Sequence, residues 1–152
     1  MHKSETSNLD GSKDDAMLSC SAQMRSAGVK AFRSKSLAEH DGSVLFFLRA
    51  ASLAAPLLTA ADGYRGIQEE DEEEQEGNND ASAPATAVGL ALSNAAEWAI
   101  RAGQPRLALL WSRAAILLLP AHAGTQRRLG RALAAWNAAV EACPDRGGPS
   151  ND

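Results

Sequence analysis

The residues of this chain best suited to chemistry are six arginines and one asparagine crowded into a short stretch. Between Asn94 and Arg131 lie Arg101, Arg106, Arg113, Arg127, Arg128 and Arg131, opposed there by Glu97 alone. A guanidinium group holds a carboxylate through two parallel hydrogen bonds, and an Asn amide can bond a peptide backbone or terminus. Arg101 stands seven residues after Asn94, two turns along the same helical face, and Arg128 and Arg131 share a face at a spacing of three. The chemistry these residues offer is capture of an acidic group. The competing explanation is that each arginine is a solvated surface charge that contributes little.

Bond-making chemistry finds no support. His2, His40 and His122 fall in a polar leader or in expected turns, and none stands at ligand or relay spacing from a cysteine or carboxylate. No GxSxG elbow, GxGxxG turn or GxxxxGK loop occurs. Cys20 and Cys143 lie near opposite ends without CxxC spacing, which argues against a disulfide framework or zinc site and for a reducing, cytoplasmic setting. No cofactor or metal is expected. Trp98 and Trp111 sit inside Ala/Leu-rich runs, where a core role outweighs a base-stacking one, and a net charge of −4 weighs against a nucleic-acid partner. The apolar run from Val44 to Ala61 is broken by Arg49 and Pro56, so a buried helix is expected there and no membrane span. The N-terminal segment is polar with both charge signs, unlike a secretory signal peptide.

These arginines must be positioned by helices. Leu107, Leu110, Trp111, Ala114, Ala115 and Leu118 recur at three-and-four spacing, and Gly103, Gln104 and Pro105 separate that helix from the one before it. Upstream, Met24, Ala27, Ala31 and Phe32 mark a helix over Ser21 to Arg33. A turn is expected over Ser34 to Gly42, then a helix from Val44 to Ala61 shortened by Pro56. A last helix starts at Gly124, and Pro144 leaves no room for a full partner after Asn137. One long capping helix through Ala142, or a homodimer that buries the exposed face, is therefore expected. Residues 1–17 read as a disordered leader and 144–152 as a disordered tail, flanking an all-α domain over 18–143. Inside it, 67–86 reads as an acidic insertion: Glu69 to Asp80 holds eight acidic residues and no basic one, and removing those eight charges turns the net of −4 into +4. The insertion is either a solvated linker or a segment that visits the basic remainder.

An Asn-bearing helix followed by Gly103, Ala108, Ala115, Pro120 and Leu129-Gly130 resembles a tetratricopeptide repeat, a helix-turn-helix unit of thirty-four residues. Ala96 and Gly130 stand 34 apart at small-residue positions, as do Asn94 and Arg128. Gly28 to Phe32 is similar to the signature that opens the first repeat of co-chaperone domains, and Phe47 and Ala50 fall at the aromatic and small positions of its second helix. The resemblance implies antiparallel hairpins in a right-handed α-solenoid of about two and a half repeats, with first helices lining a groove. It nominates Arg25, Asn94, Arg101, Arg128 and Arg131 for peptide binding. It also implies a protein-interaction adaptor holding the acidic C-terminal tail of a heat-shock chaperone in a carboxylate clamp. Asn94 and Arg128 match that clamp and Arg25 replaces a Lys, whereas Val29 and Gly124 stand where an Asn and a Lys belong, so about half of it is present. A scaffold binding another protein segment, a structural subunit of an assembly, and an unrelated Ala/Leu-rich bundle remain open alternatives.

Limited proteolysis should cut first between Ile67 and Pro84, with the two halves staying together on sizing. Separation of the halves, or substantial strand by circular dichroism, would contradict the helical-hairpin expectation.

Overall fold

The computed structural model describes residues 2–59 and 83–143. Among them are five α-helices and no strand: α1 (His2–Phe32), α2 (Leu37–Ala54), α3 (Pro84–Arg101), α4 (Pro105–Leu118) and α5 (Ala123–Glu141), with a 3-10 turn, Ala55–Leu57, following α2. The all-α expectation holds. The run from Glu69 to Asp80 and the tail after Cys143 lie outside the described residues. Helix α3 begins at Pro84, so the last three residues assigned to the acidic insertion are helical.

Local chemistry accounts for the ends. Pro84 and Pro105 occupy the first turns of α3 and α4, where a missing N–H costs nothing. Gly103 ends α3 with φ of 70°, the Gly103 N–H donates to the Ile100 carbonyl at 3.3 Å, and the Gln104 N–H donates to the Ala99 carbonyl at 2.8 Å. That pair is a Schellman motif, which requires a residue tolerant of left-handed backbone. His122 caps α5 through Nδ1, which accepts the Thr125 N–H at 3.1 Å.

Three boundaries differ from expectation. Helix α2 starts seven residues before Val44, because Ser36 accepts the Glu39 N–H at 3.5 Å, the S-x-x-E arrangement of a capping box. The turn therefore spans only 33–36, and His40 lies in α2, its Nδ1 donating to the Phe32 carbonyl at 2.8 Å. The helix stops at Ala54 instead of Ala61, as Pro56 forces a 3-10 turn. At the N-terminus the segment assigned to a disordered leader is helical from His2, continuous with the packed part of α1, although Gly11–Ala16 are exposed. At the other end α5 runs unbroken to Glu141, the long-helix alternative of the two foreseen.

Neighbouring helices in sequence pack antiparallel. Ser21 donates to the Ala50 carbonyl at 2.7 Å while Phe32 stacks on His40 at 4.8 Å, which runs α2 back along α1. Helix α2 lies against α1 and α3, and α4 against α3 and α5, so α1, α3 and α5 form one layer and α2 and α4 a second. Within the first layer α3 and α5 run parallel: Ser93 meets Thr125 and Arg128, and Glu97 meets Arg131 34 residues on. The core is built from alanines, with Ala50, Ala54, Ala91, Ala95, Ala96, Ala99, Ala108, Ala115 and Ala132 fully buried, and Phe47 as its largest fully buried side chain. Small side chains bring helix backbones close. No helix among the described residues is long and apolar enough to cross a membrane.

Glycines 28 and 130 separate packing from pattern. A Cβ on Gly28 would lie 2.6 Å from Phe47 Cε1, whereas one on Gly130 would meet nothing within 4 Å. The small residue at 130 is thus not required by any described neighbour. We expect Gly28→Ala to destabilise by about 1–3 kcal/mol through overpacking, less the propensity gained. Gly130→Ala should stabilise by about 0.5–1 kcal/mol. Urea unfolding of both variants checks the contrast.

Candidate anion-binding cleft

Helices α1, α3 and α5 enclose a cleft of ≈ 450 Å³ lined by Val29, Phe32 and Arg33 from α1 and its end, Asn94, Glu97 and Arg101 from α3, and Arg128 from α5. Its position follows from the layering. Asn94, Glu97 and Arg101 fall on successive turns of one face of α3, and the parallel alignment of α5 brings Arg128 and Arg131 to that face.

The centre of the cleft wall is a carboxylate. The Glu97 side chain is 12% exposed and meets three cations: Oε1 accepts from Arg101 Nε at 3.2 Å, Oε2 from Arg131 Nη1 at 2.7 Å, and Arg128 Nε stands 3.7 Å from Oε2. Burial by itself pushes the Glu97 carboxyl up, but Arg131, Arg101 and Arg128 outweigh it and hold the group below its ordinary value. Arg128 donates from Nη1 to Ser93 Oγ at 2.7 Å, and Thr125 Oγ1 donates to the same oxygen at 3.1 Å. Burial lowers the Arg128 pKa, offset in part by Glu97 and reinforced by Arg131, Arg127 and Arg101. Arg101, 4.8 Å above the Phe32 ring, is held by a cation–π contact as well as by Glu97.

The nominated residues are thus distributed unevenly. Asn94, Arg101 and Arg128 line the cleft; Arg131 reaches its wall through Glu97 without lining it. Arg25 stands one turn before Val29 on α1, half-buried, with Nη1 unpartnered among the described residues and its pKa lowered by burial. Of the remaining arginines, Arg106 borders a separate cleft with Trp136, Ala139, Val140 and Cys143, and Arg113 and Arg127 are exposed. Trp98 and Trp111 pack against the alanine core, and Cys20 and Cys143 are free and exposed. Among the described residues no cluster of His, Cys, Asp and Glu could hold a metal ion.

Phe32, Arg33 and Glu97 escaped the sequence reading as cleft residues. Glu97 carried two signals: it stands four residues before Arg101 and 34 before Arg131, the same interval that relates Asn94 to Arg128. Its role as a hub needed the α3–α5 alignment.

No family model, curated protein or solved structure matches this chain at a significant level.

The Glu97 network has a pH signature. A carboxyl whose folded-state pKa is depressed stabilises the fold fully above its unfolded-state value of about 4.3, and that contribution is lost as pH falls through the folded value. At pH 7 Glu97→Gln should therefore be less stable than the parent, and the gap should close as the pH is lowered below about 4. A gap constant from pH 7 to 3 would show that charge pairing contributes nothing.

Proposed function

We propose that this chain is a non-catalytic protein-interaction adaptor of tetratricopeptide type, whose cleft among α1, α3 and α5 holds an acidic peptide segment. The observation that carries this reading is the convergence of Arg33, Arg101 and Arg128 with the Asn94 amide in one open cleft, where Glu97 is the sole acidic lining residue among the described residues. Three guanidinium groups against one carboxylate leave a net positive wall, the charge pattern that attracts a carboxylate-bearing ligand. The paired helices, the parallel α1, α3 and α5, and the 34-residue interval between Glu97 and Arg131 support the repeat reading.

The first partner to test is the acidic C-terminal tail of a heat-shock chaperone, encountered in the cytoplasm. The clamp is incomplete for it. Val29 presents an apolar side chain to the cleft where the resemblance calls for an amide, and Gly124 offers none beside His122 and Arg127. Each missing charge-assisted or polar contact costs on the order of 1–3 kcal/mol, so a degenerate scaffold for some other acidic segment is the companion proposal. A second use of the surface is favoured by a different observation: Leu110 and Leu117 on α4 and Leu133 and Val140 on α5 are each at least 40% exposed, the apolar display of a homodimer or of a subunit in a larger assembly.

Titration with acidic C-terminal peptides at rising salt tests the main proposal. Affinity should fall as salt increases, and Arg128→Ala or Arg101→Ala should cost about 1.5–3 kcal/mol, while Arg113→Ala costs nearly nothing. No binding at low salt, or equal losses at Arg113 and Arg128, would overturn it.

A further inference from the structure

The cleft contains its own anion. Glu97 lines it, yet both carboxylate oxygens are already engaged by guanidinium groups, Arg101 at 3.2 Å and Arg131 at 2.7 Å, with Arg128 at 3.7 Å, and Arg101 and Arg128 are the two of these that an entering carboxylate would meet. A ligand carboxylate bound beside Arg101 and Arg128 would therefore share them with Glu97 and feel its like charge at close range, a repulsion that salt screens in a cleft open to solvent. Arg33 lies outside this network. It lines the same cleft, is exposed, and makes no ion pair among the described residues.

We infer that Glu97 is a built-in competitor in the cleft, a carboxylate that contests Arg101 and Arg128 with any ligand carboxylate and so sets how tightly an acidic segment is held. Resting on the acidic-peptide reading above, this assigns a repulsive element to the same wall that attracts. A carboxylate at Arg101 and Arg128 gains only what they offer beyond Glu97. One at Arg33 meets no competitor among the described residues. A repulsion of this kind limits affinity, and the limit disappears when the repelling group is neutralised.

The test compares two peptides of equal length, one carrying a single Asp and an amidated C-terminus, the other three consecutive acidic residues, against the full chain and its Glu97→Gln variant at low salt. Glutamine keeps the shape and an acceptor oxygen while removing the charge. The single-Asp peptide should bind Glu97→Gln about tenfold more tightly than the parent, with at least as large a gain for the triacidic peptide, whose charges all feel Glu97, and both gains shrinking as salt rises. Glu97→Ala should shift both affinities in the same direction, and circular dichroism confirms that each variant is folded. Parent binding of the triacidic peptide with unchanged or weakened single-Asp affinity in both variants would overturn the inference and leave the acidic-peptide reading in place. Failure of every form to bind either peptide would overturn both.

Discussion

A carboxylate held between two helices fixes the geometry on which this structure depends. Glu97 is nearly nine-tenths buried, and a buried carboxylate is tolerated only where charge and hydrogen bonding replace the lost water. Arg101 supplies that compensation from the same helix, and Arg128 and Arg131 supply it from α5. The requirement sets the axial position of α5 against α3, because a slip by one residue would carry Arg131 off the Glu97 face. One turn earlier, the Ser93 hydroxyl, accepting from Thr125 and Arg128, pins the same register. Two of these arginines are half-exposed, so the pairs contribute more to alignment than to stability.

Alanine supplies the complementary constraint. With Ala95, Ala96 and Ala99 fully buried, α3 can approach α1, α2, α4 and α5 closely without large side chains between them. The same closeness brings Phe32 beneath Arg101 and makes the α1 wall of the cleft, where an aromatic ring holds a cation that Glu97 also holds. Gly28 and Gly89 mark the tightest points: a Cβ would come within 2.6 Å of Phe47 and of Leu119 respectively. Substitutions at these core positions therefore act on the cleft through helix spacing.

The helical class and the order of the later helices were legible in the sequence, because Gly103, Pro105 and the apolar spacing of α4 each encode a boundary or a face locally. The start of α2 is encoded in Ser36 and Glu39, but its first turns are polar and carry no apolar periodicity, which begins only at Val44. The helicity of the N-terminal segment was not: its residues are polar on all sides, so no periodicity marks it, and it continues a helix anchored further along. Asn94, Arg101 and Arg128 could be grouped from helical spacing and the 34-residue interval. The role of Glu97 could not, because a charge tally counts a lone acid as a minor subtraction, whereas its position in space makes it the partner of three cations. Gly130 shows the converse, a small residue suggestive in pattern whose open surroundings demand nothing of it.

The central claim is that Arg101 and Arg128, together with the Asn94 amide, form one anion-binding wall, distinct from the arginines elsewhere on the surface. The most direct measurement is nuclear magnetic resonance of the arginine Nε–H and asparagine side-chain amide signals during titration with an acidic peptide at low salt. The account requires saturable shifts at Arg101, Arg128 and Asn94, while Arg106 and Arg113 stay in place. Shifts spread evenly over all five residues, or confined to Arg106 and Arg113, would contradict it.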